Sequence, residues 1–179
     1  MKYTLLFAIL AIVSCKNEPK ENVTVDSGKE LKVEAEKPKR QFEVYDYDGL
    51  EPLINKEDGK VHVVNFWATW CAPCVKELPH FETLNKKYKD QGVEVLLVSL
   101  DFPNKYDTKL TPFIEKNKLQ SEVVAFDDVD QNRWIPAINE EWSGAIPATI
   151  IYDSENRKFY EKSFTLEELE TELKPFLTR

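Results

Sequence analysis

The hydrophobic positions of this chain fall into short blocks, each with its own period. Val61 to Trp67 (VHVVNFW) is a near-continuous apolar run, the pattern of a strand buried on both faces. Val93 to Leu100 (VEVLLVSL) repeats it and predicts a second central strand. Between them, Cys74, Leu78, Phe81, Leu84 and Tyr88 recur at spacings of three and four. That is one face of a helix, which spans Cys71 to about Asp90. Pro79 falls inside it and should kink it, and Gln91-Gly92 ends it. Upstream, Phe42 to Tyr45 alternates and predicts an edge strand.

Further along, Asn104 to Lys118 reads as helical with an interruption near Pro112. Val123 to Phe126 reads as a strand, and Asn132 to Asn139 as a short irregular helix. Pro147 to Tyr152 (PATIIY) is a strand, with Arg157 to Phe164 its hairpin partner across Asp153-Ser154-Glu155-Asn156. Thr165 and Glu168 form a capping box that opens the last helix, Leu166 to Leu177. Strand, helix, strand, helix, hairpin and final helix make an α/β fold. The expectation is a central mixed β-sheet flanked by helices with a right-handed crossover. It has an N-terminal strand.

The first forty residues do not fit that fold. Lys2 is followed by the apolar run Leu5 to Val13, well short of the roughly 20 residues that cross a bilayer. Its length suits the core of a secretory signal. Ile12-Val13-Ser14-Cys15 then resembles the lipobox of bacterial lipoproteins. That resemblance implies cleavage before Cys15 and acylation of its sulfur and new N-terminus. Each buried methylene adds about 0.8 kcal/mol of membrane affinity, so more than one chain anchors stably. Residues 16–40 are rich in charge and hold no aromatic residue. Such a segment buries too little apolar area to order itself, and as a flexible coil it spans roughly 25–30 Å. The expected organisation is therefore a signal at 1–14, lipidated Cys15 with its tether at 15–40, and one domain at 41–179. The address is the cell envelope, with the domain facing the periplasm.

Charge narrows the partners. The formal charge is −8, and residues 41–179 alone hold 26 acidic against 16 basic side chains. Nucleic-acid binding needs a basic face, so that class is excluded.

The chemistry sits in Asn65-Phe66-Trp67-Ala68-Thr69-Trp70-Cys71-Ala72-Pro73-Cys74, where a central strand hands over to a helix. Cysteines at i and i+3 on one helical turn can bridge. The first, at the helix N-terminus, faces unpaired N–H groups and the positive end of the dipole, which favour a thiolate. The second is carried inward, so Cys71 is the attacking thiol and Cys74 the resolving one. Pro73 restrains the turn, and Trp70 offers an apolar surface beside Cys71. Zinc would want four ligands, and residues 41–179 hold no cysteine besides this pair and only His62 and His80 as histidines. His62 alternates with buried strand positions and reads as structural. Two alternatives stay open: a copper carrier using Cys71, Cys74 and His80, and a purely structural disulfide. A peroxidase of the Thr-x-x-Cys kind has no matching motif.

Trp70-Cys71-Ala72-Pro73-Cys74 after Asn65-Phe66-Trp67-Ala68 resembles the active site of the thioredoxin superfamily. Gly144-Ala145-Ile146-Pro147-Ala148-Thr149 resembles its cis-proline loop, and the likeness covers about Phe42 to Leu177. Cytoplasmic thioredoxins carry Gly-Pro between the cysteines and a buried Asp where this chain has Asn65. Asn65 together with Cys74-x-x-Glu77-x-Pro79 resembles instead the membrane-anchored TlpA/ResA-type reductases of the envelope. The resemblance implies several things. Phe102 to Ser143 holds an insertion ahead of the Pro147 strand. Glu77 handles protons for the cysteine pair. Pro147 is cis and sets Ile146 beside Cys71, where its backbone receives a substrate strand. Substrates are disulfide-containing envelope proteins, apocytochrome c among them, supplied with electrons by a membrane donor and needing no cofactor. Trp142, five residues before Pro147, is a further rim candidate.

The anchor is directly testable. Cys15→Ala should abolish metabolic lipid labelling and halt maturation at the lipoprotein-specific step; labelling equal to that of the wild type would remove the lipid tether.

Overall fold

The computed structural model describes residues 40–178. The N-terminal apolar run, Cys15 and nearly all of the charged tether lie outside the described residues. In chain order the main elements are β1 (Glu43–Tyr45), α1 (Tyr47–Leu50), β2 (Val61–Trp67) and α2 (Ala72–Tyr88). There follow β3 (Val93–Ser99), α3 (Thr111–Asn117), β4 (Glu122–Phe126) and α4 (Gln131–Ile138). The chain closes with β5 (Ala148–Tyr152), β6 (Arg157–Tyr160) and α5 (Leu166–Leu177). The strands form one mixed sheet in the order β1-β4-β3-β2-β5-β6. β1 to β4, β4 to β3 and β3 to β2 are parallel; β5 and β6 join antiparallel.

β2 lies at the centre of the pattern. All seven of its residues are buried, paired to β3 on one edge and β5 on the other. Successive side chains of a strand point to opposite faces. Val63 and Trp67 therefore enter one core with Phe81 and Leu84 of α2 and Leu169 and Leu173 of α5. Val64 and Phe66 enter the other, with Trp134 and Ile138 of α4, Leu50 of α1 and Trp142. Each such side chain taken fully out of water contributes about 1.5–3 kcal/mol. Two cores on two faces explain why the central strands read as unbroken apolar runs.

The sequence-based elements hold, with corrections at their ends. Cys71 is not helical: it has extended backbone (φ −89°, ψ 100°) and caps α2. α2 continues through Pro79, whose ring leaves the Val75 carbonyl without its usual N–H partner. The helix expected over 104–118 is split. A 3-10 turn (Pro103–Lys105) and a π-helical turn (Tyr106–Leu110) precede the short α3, and Pro112 takes a first-turn position where no N–H is required. The strand of the Pro147 segment begins one residue later, at Ala148. Its partner β6 stops at Tyr160 rather than Phe164: Tyr160 pairs with Thr149, one residue from the start of β5, and farther on the Phe164 N–H donates to Glu77. α1 is too short for its period to be visible in sequence; it is started by Asp46, which accepts the Gly49 N–H.

The C-terminal ends of β2, β3 and β4 and the N-terminal end of β5 all lie at one end of the sheet, since Trp67 pairs with Ser99, Ser99 with Ala125, and Phe66 with Ala148. Ligand and active sites of parallel α/β sheets form at this end, where helices begin.

Candidate active site

Residues 68–71 connect β2 to α2, and a buried carboxylate holds them. Asp101, just past β3, accepts hydrogen bonds from the Thr69 N–H (2.9 Å), the Thr69 hydroxyl (2.5 Å) and the Ser99 hydroxyl (2.9 Å). The Leu100 N–H donates to the Trp67 carbonyl at 2.7 Å and extends the β2–β3 ladder by one residue. Cys71 thus arrives extended at the head of α2, where its Sγ accepts the Cys74 N–H at 3.3 Å. Pro73 sits in the first turn, where a missing N–H costs nothing.

Cys71 and Cys74 are joined as a disulfide, with Cα atoms 5.3 Å apart. Cys71 retains 6% of its surface and Cys74 none. Of the two, only Cys71 keeps any contact with the surface. Opposite it, the Ile146–Pro147 peptide is cis, and the Ile146 carbonyl oxygen lies 3.8 Å from Cys71 Sγ. The loop is held from behind, where the buried Trp142 donates its indole N–H to the Ala145 carbonyl at 2.8 Å. Gly144 has φ +88°, a conformation that favours glycine, and a Cβ there would stand 2.8 Å from Ile135 Cδ1. Trp142 is therefore a support for the loop, not part of the rim. Trp70 is on the rim: it is 56% exposed and stacks on Phe102, with ring centroids 6.2 Å apart.

Glu77 stands one turn beyond Cys74 on the same buried face of α2. Its carboxylate accepts the Phe164 N–H at 2.7 Å and the Asn65 amide at 3.0 Å; Asn65 also donates to Thr149 Oγ1 at 3.1 Å. Burial pushes the Glu77 carboxyl up to about 7, against the two hydrogen bonds that favour its charged form. A group with that value exchanges protons at neutral pH, as a thiol pair requires, whereas the Asn65 amide cannot.

The copper arrangement is not assembled. His80 is six residues past Cys74, roughly 240° around the helix. Among the described residues, the donors that gather within 4.8 Å belong to Asp58, His62 and Glu94. That group lies at the opposite end of β2 from the cysteines. His62 is buried there, stacked on Tyr152 and within 2.8 Å of Asp58, while Lys56 and Lys60 pair with Glu94. The lysines neutralise it, and His62 is structural as its sequence position implies. Sequence reasoning missed Asp101, Thr69, Phe102 and the Phe164 N–H. Of these only Asp101 left a signal, as an acid immediately after an apolar strand.

Residues 33–157 match the AhpC/TSA family. A protein named thiol-disulfide oxidoreductase ResA from Bacillus thuringiensis subsp. konkukian is 38% identical over 96 residues, 49% of this chain and 56% of that one. The chain thus spans little more than half the length of that relative. A protein of the same name from Geobacillus kaustophilus is 32% identical over 134 residues, 74% of this chain and 72% of the relative. Among solved structures, a thioredoxin-family thiol:disulfide interchange protein from Chlorobium tepidum superposes with a TM-score of 0.57 at 20% identity, covering 73% of this chain and 89% of that one. At that identity the likeness shows the fold.

The raised Glu77 value makes stability depend on pH. The folded state holds this proton more tightly than the unfolded chain, so the contribution of Glu77 to stability is fully present below about pH 4.5 and is lost as pH rises to about 7. The loss is roughly 3 kcal/mol by linkage. In the oxidised protein, where no thiol titrates, Glu77→Gln should flatten the denaturant midpoint across this window. Parallel profiles for the two proteins would show that Glu77 ionises freely.

Proposed function

Because the chain belongs to the AhpC/TSA family and has the thioredoxin fold, we propose that it is a thiol–disulfide oxidoreductase that reduces disulfides of cell-envelope proteins. The observation that carries the reading is the unequal burial of the pair. Cys71 keeps a small exposed surface at the head of α2, and Cys74 is sealed beneath it.

The electron balance follows from this geometry. The Cys71 thiolate, favoured by the Cys74 N–H and the helix dipole, attacks one sulfur of a substrate disulfide. The substrate S–S bond breaks, its other sulfur leaves as a thiolate, and a mixed disulfide forms. Cys74 then loses its proton and attacks Cys71 Sγ. The second substrate thiolate leaves, and the Cys71–Cys74 disulfide closes. Two electrons have passed to the substrate. Glu77 is the acceptor for the Cys74 proton: it is buried on the same helix face and ionises near neutrality. Ile146 and Pro147 form the opposite wall, where the substrate backbone lies against Cys71. Trp70 and Pro73 flank the approach.

The remaining parts rest on the sequence resemblance. Cys15 carries lipid, residues 16–40 tether the domain to the membrane, and a membrane donor returns Cys71–Cys74 to the dithiol. Apocytochrome c is a substrate of the kind this group serves. The copper-carrier alternative has no support in the placement of His80.

Two measurements test the proposal. Cys74→Ser should accumulate mixed disulfides with envelope proteins and Cys71→Ser should not, read as dithiothreitol-sensitive adducts after acid quenching; equal trapping would show that the roles are misassigned. In the reduced protein, Glu77→Gln removes a negative charge that opposes a nearby thiolate, so the apparent thiol titration should shift to lower pH. Because the groups are coupled, the macroscopic curve is the readout, and superimposable curves would exclude Glu77 from the proton path.

A further inference from the structure

Beside the disulfide lies a groove of about 490 Å³ at the same end of the sheet. Its walls come from four places: Trp70 ahead of α2, residues 100–103 after β3, residues 126–131 after β4, and the 143–146 loop backed by Ile135. Among the described residues four large hydrophobic side chains are exposed, and three of them stand in this groove: Trp70 at 56%, Phe102 at 61% and Val129 at 94%. A monomer has no folding reason to cluster its exposed apolar side chains, so such a patch marks a contact surface. Ile146 belongs to the groove wall, and its carbonyl makes the 3.8 Å contact with Cys71 Sγ, so the groove adjoins the active-site loop.

The charge of the lining is one-sided. Asp101, Asp127 and Asp128 line it, and no Lys, Arg or His does. Asp101 is committed to Thr69 and Ser99. Asp127 is exposed at the rim. Asp128 is fixed in place by the Tyr47 and Asp130 N–H groups, which hold its carboxyl below the usual range. A second copy of this chain is a poor occupant, because residues 41–179 carry ten more acidic than basic side chains.

We propose that this groove is the specificity subsite of the oxidoreductase. It seats the extended polypeptide that flanks the reacting substrate cysteine, taking one large apolar side chain against Trp70 and Phe102 and a lysine or arginine against Asp127 and Asp128. The inference rests on the disulfide-reductase reading above and names the substrate class that reading leaves open: basic, locally apolar cysteine peptides.

The test follows reduced full-length protein by stopped-flow tryptophan fluorescence as it reacts with peptides of equal length. Each peptide carries one cysteine capped as a disulfide with 2-mercaptoethanol, flanked by Lys, Ser or Glu and by Leu or Gly. The small neutral 2-hydroxyethyl disulfide serves as the reference, and rates are compared as ratios to it. The Lys peptide should react about tenfold faster than the Glu peptide at low ionic strength, and the gap should close near 1 M salt. Asp127→Asn combined with Asp128→Asn should erase the Lys-over-Glu ratio, and Phe102→Ala the Leu-over-Gly ratio. Should the double variant lose its circular-dichroism signature, Asp127→Asn alone, at an exposed side chain, should still reduce the charge ratio. Equal ratios for all peptides, or a charge preference undiminished in a folded Asp127→Asn variant, would overturn the proposal. So would a preference that depends on protein concentration, which would give the groove to a second copy. Failure to reduce even 2-hydroxyethyl disulfide would instead overturn the oxidoreductase reading itself.

Discussion

The complete burial of β2 is the constraint from which the rest of the structure follows. Val61–Trp67 has no edge and no face in water, so its backbone is paired on both sides and its side chains are packed in two cores. A strand so constrained cannot slip register without turning its apolar set to the wrong face. Its last residue, Trp67, is therefore fixed, and the turn to Cys71 starts from a rigid point. The second support of that turn is Asp101, delivered by the neighbouring strand β3, so the position of Cys71 depends on the β2–β3 register.

Placing a dithiol between a helix N-terminus and a buried carboxyl sets up opposing electrostatics. The Cys74 N–H and the dipole favour negative charge at Cys71, where some surface remains exposed. One turn deeper, desolvation opposes negative charge at Glu77 strongly enough to hold its carboxyl near neutrality. The two ends of one helical turn thus favour different charge states: negative charge at the outer sulfur and a protonated carboxyl inside. Asn65 belongs to the same design. It donates to Glu77 and to Thr149 of β5, linking the carboxyl to the strand that follows the Pro147 loop without adding a second charge to the core.

Support and recognition come from different parts of the chain. Buried Trp134 and Trp142 pack against one another at a tilt, and Trp142 holds the Ala145 carbonyl, so the loop facing Cys71 is backed by a packed aromatic layer. The loops past β3 and β4 instead leave Phe102 and Val129 in water beside Trp70. They carry no catalytic group, and their cost in exposed apolar surface is consistent with contact to another polypeptide.

The strands, the long helices and the CxxC turn were legible in the sequence because they rest on local physics: apolar periodicity, capping and the spacing of two cysteines. Their ends were less legible, since an end is set by where a hydrogen bond goes. β6 stops at Tyr160 because its partner β5 begins at Ala148, and the Phe164 N–H beyond it meets Glu77, 87 positions earlier. The family resemblance pointed to Glu77 and Pro147, but only folding shows what makes Glu77 a neutral-pH acid: burial between α2, Asn65 and the Phe164 backbone. Asp101, Phe102 and Val129 were not singled out, because an acid after a strand and apolar residues in loops have many ordinary fates. Which of them meet, and beside which sulfur, was decided by the parallel order of β2, β3 and β4, which brings three loops distant in sequence to one end of the sheet.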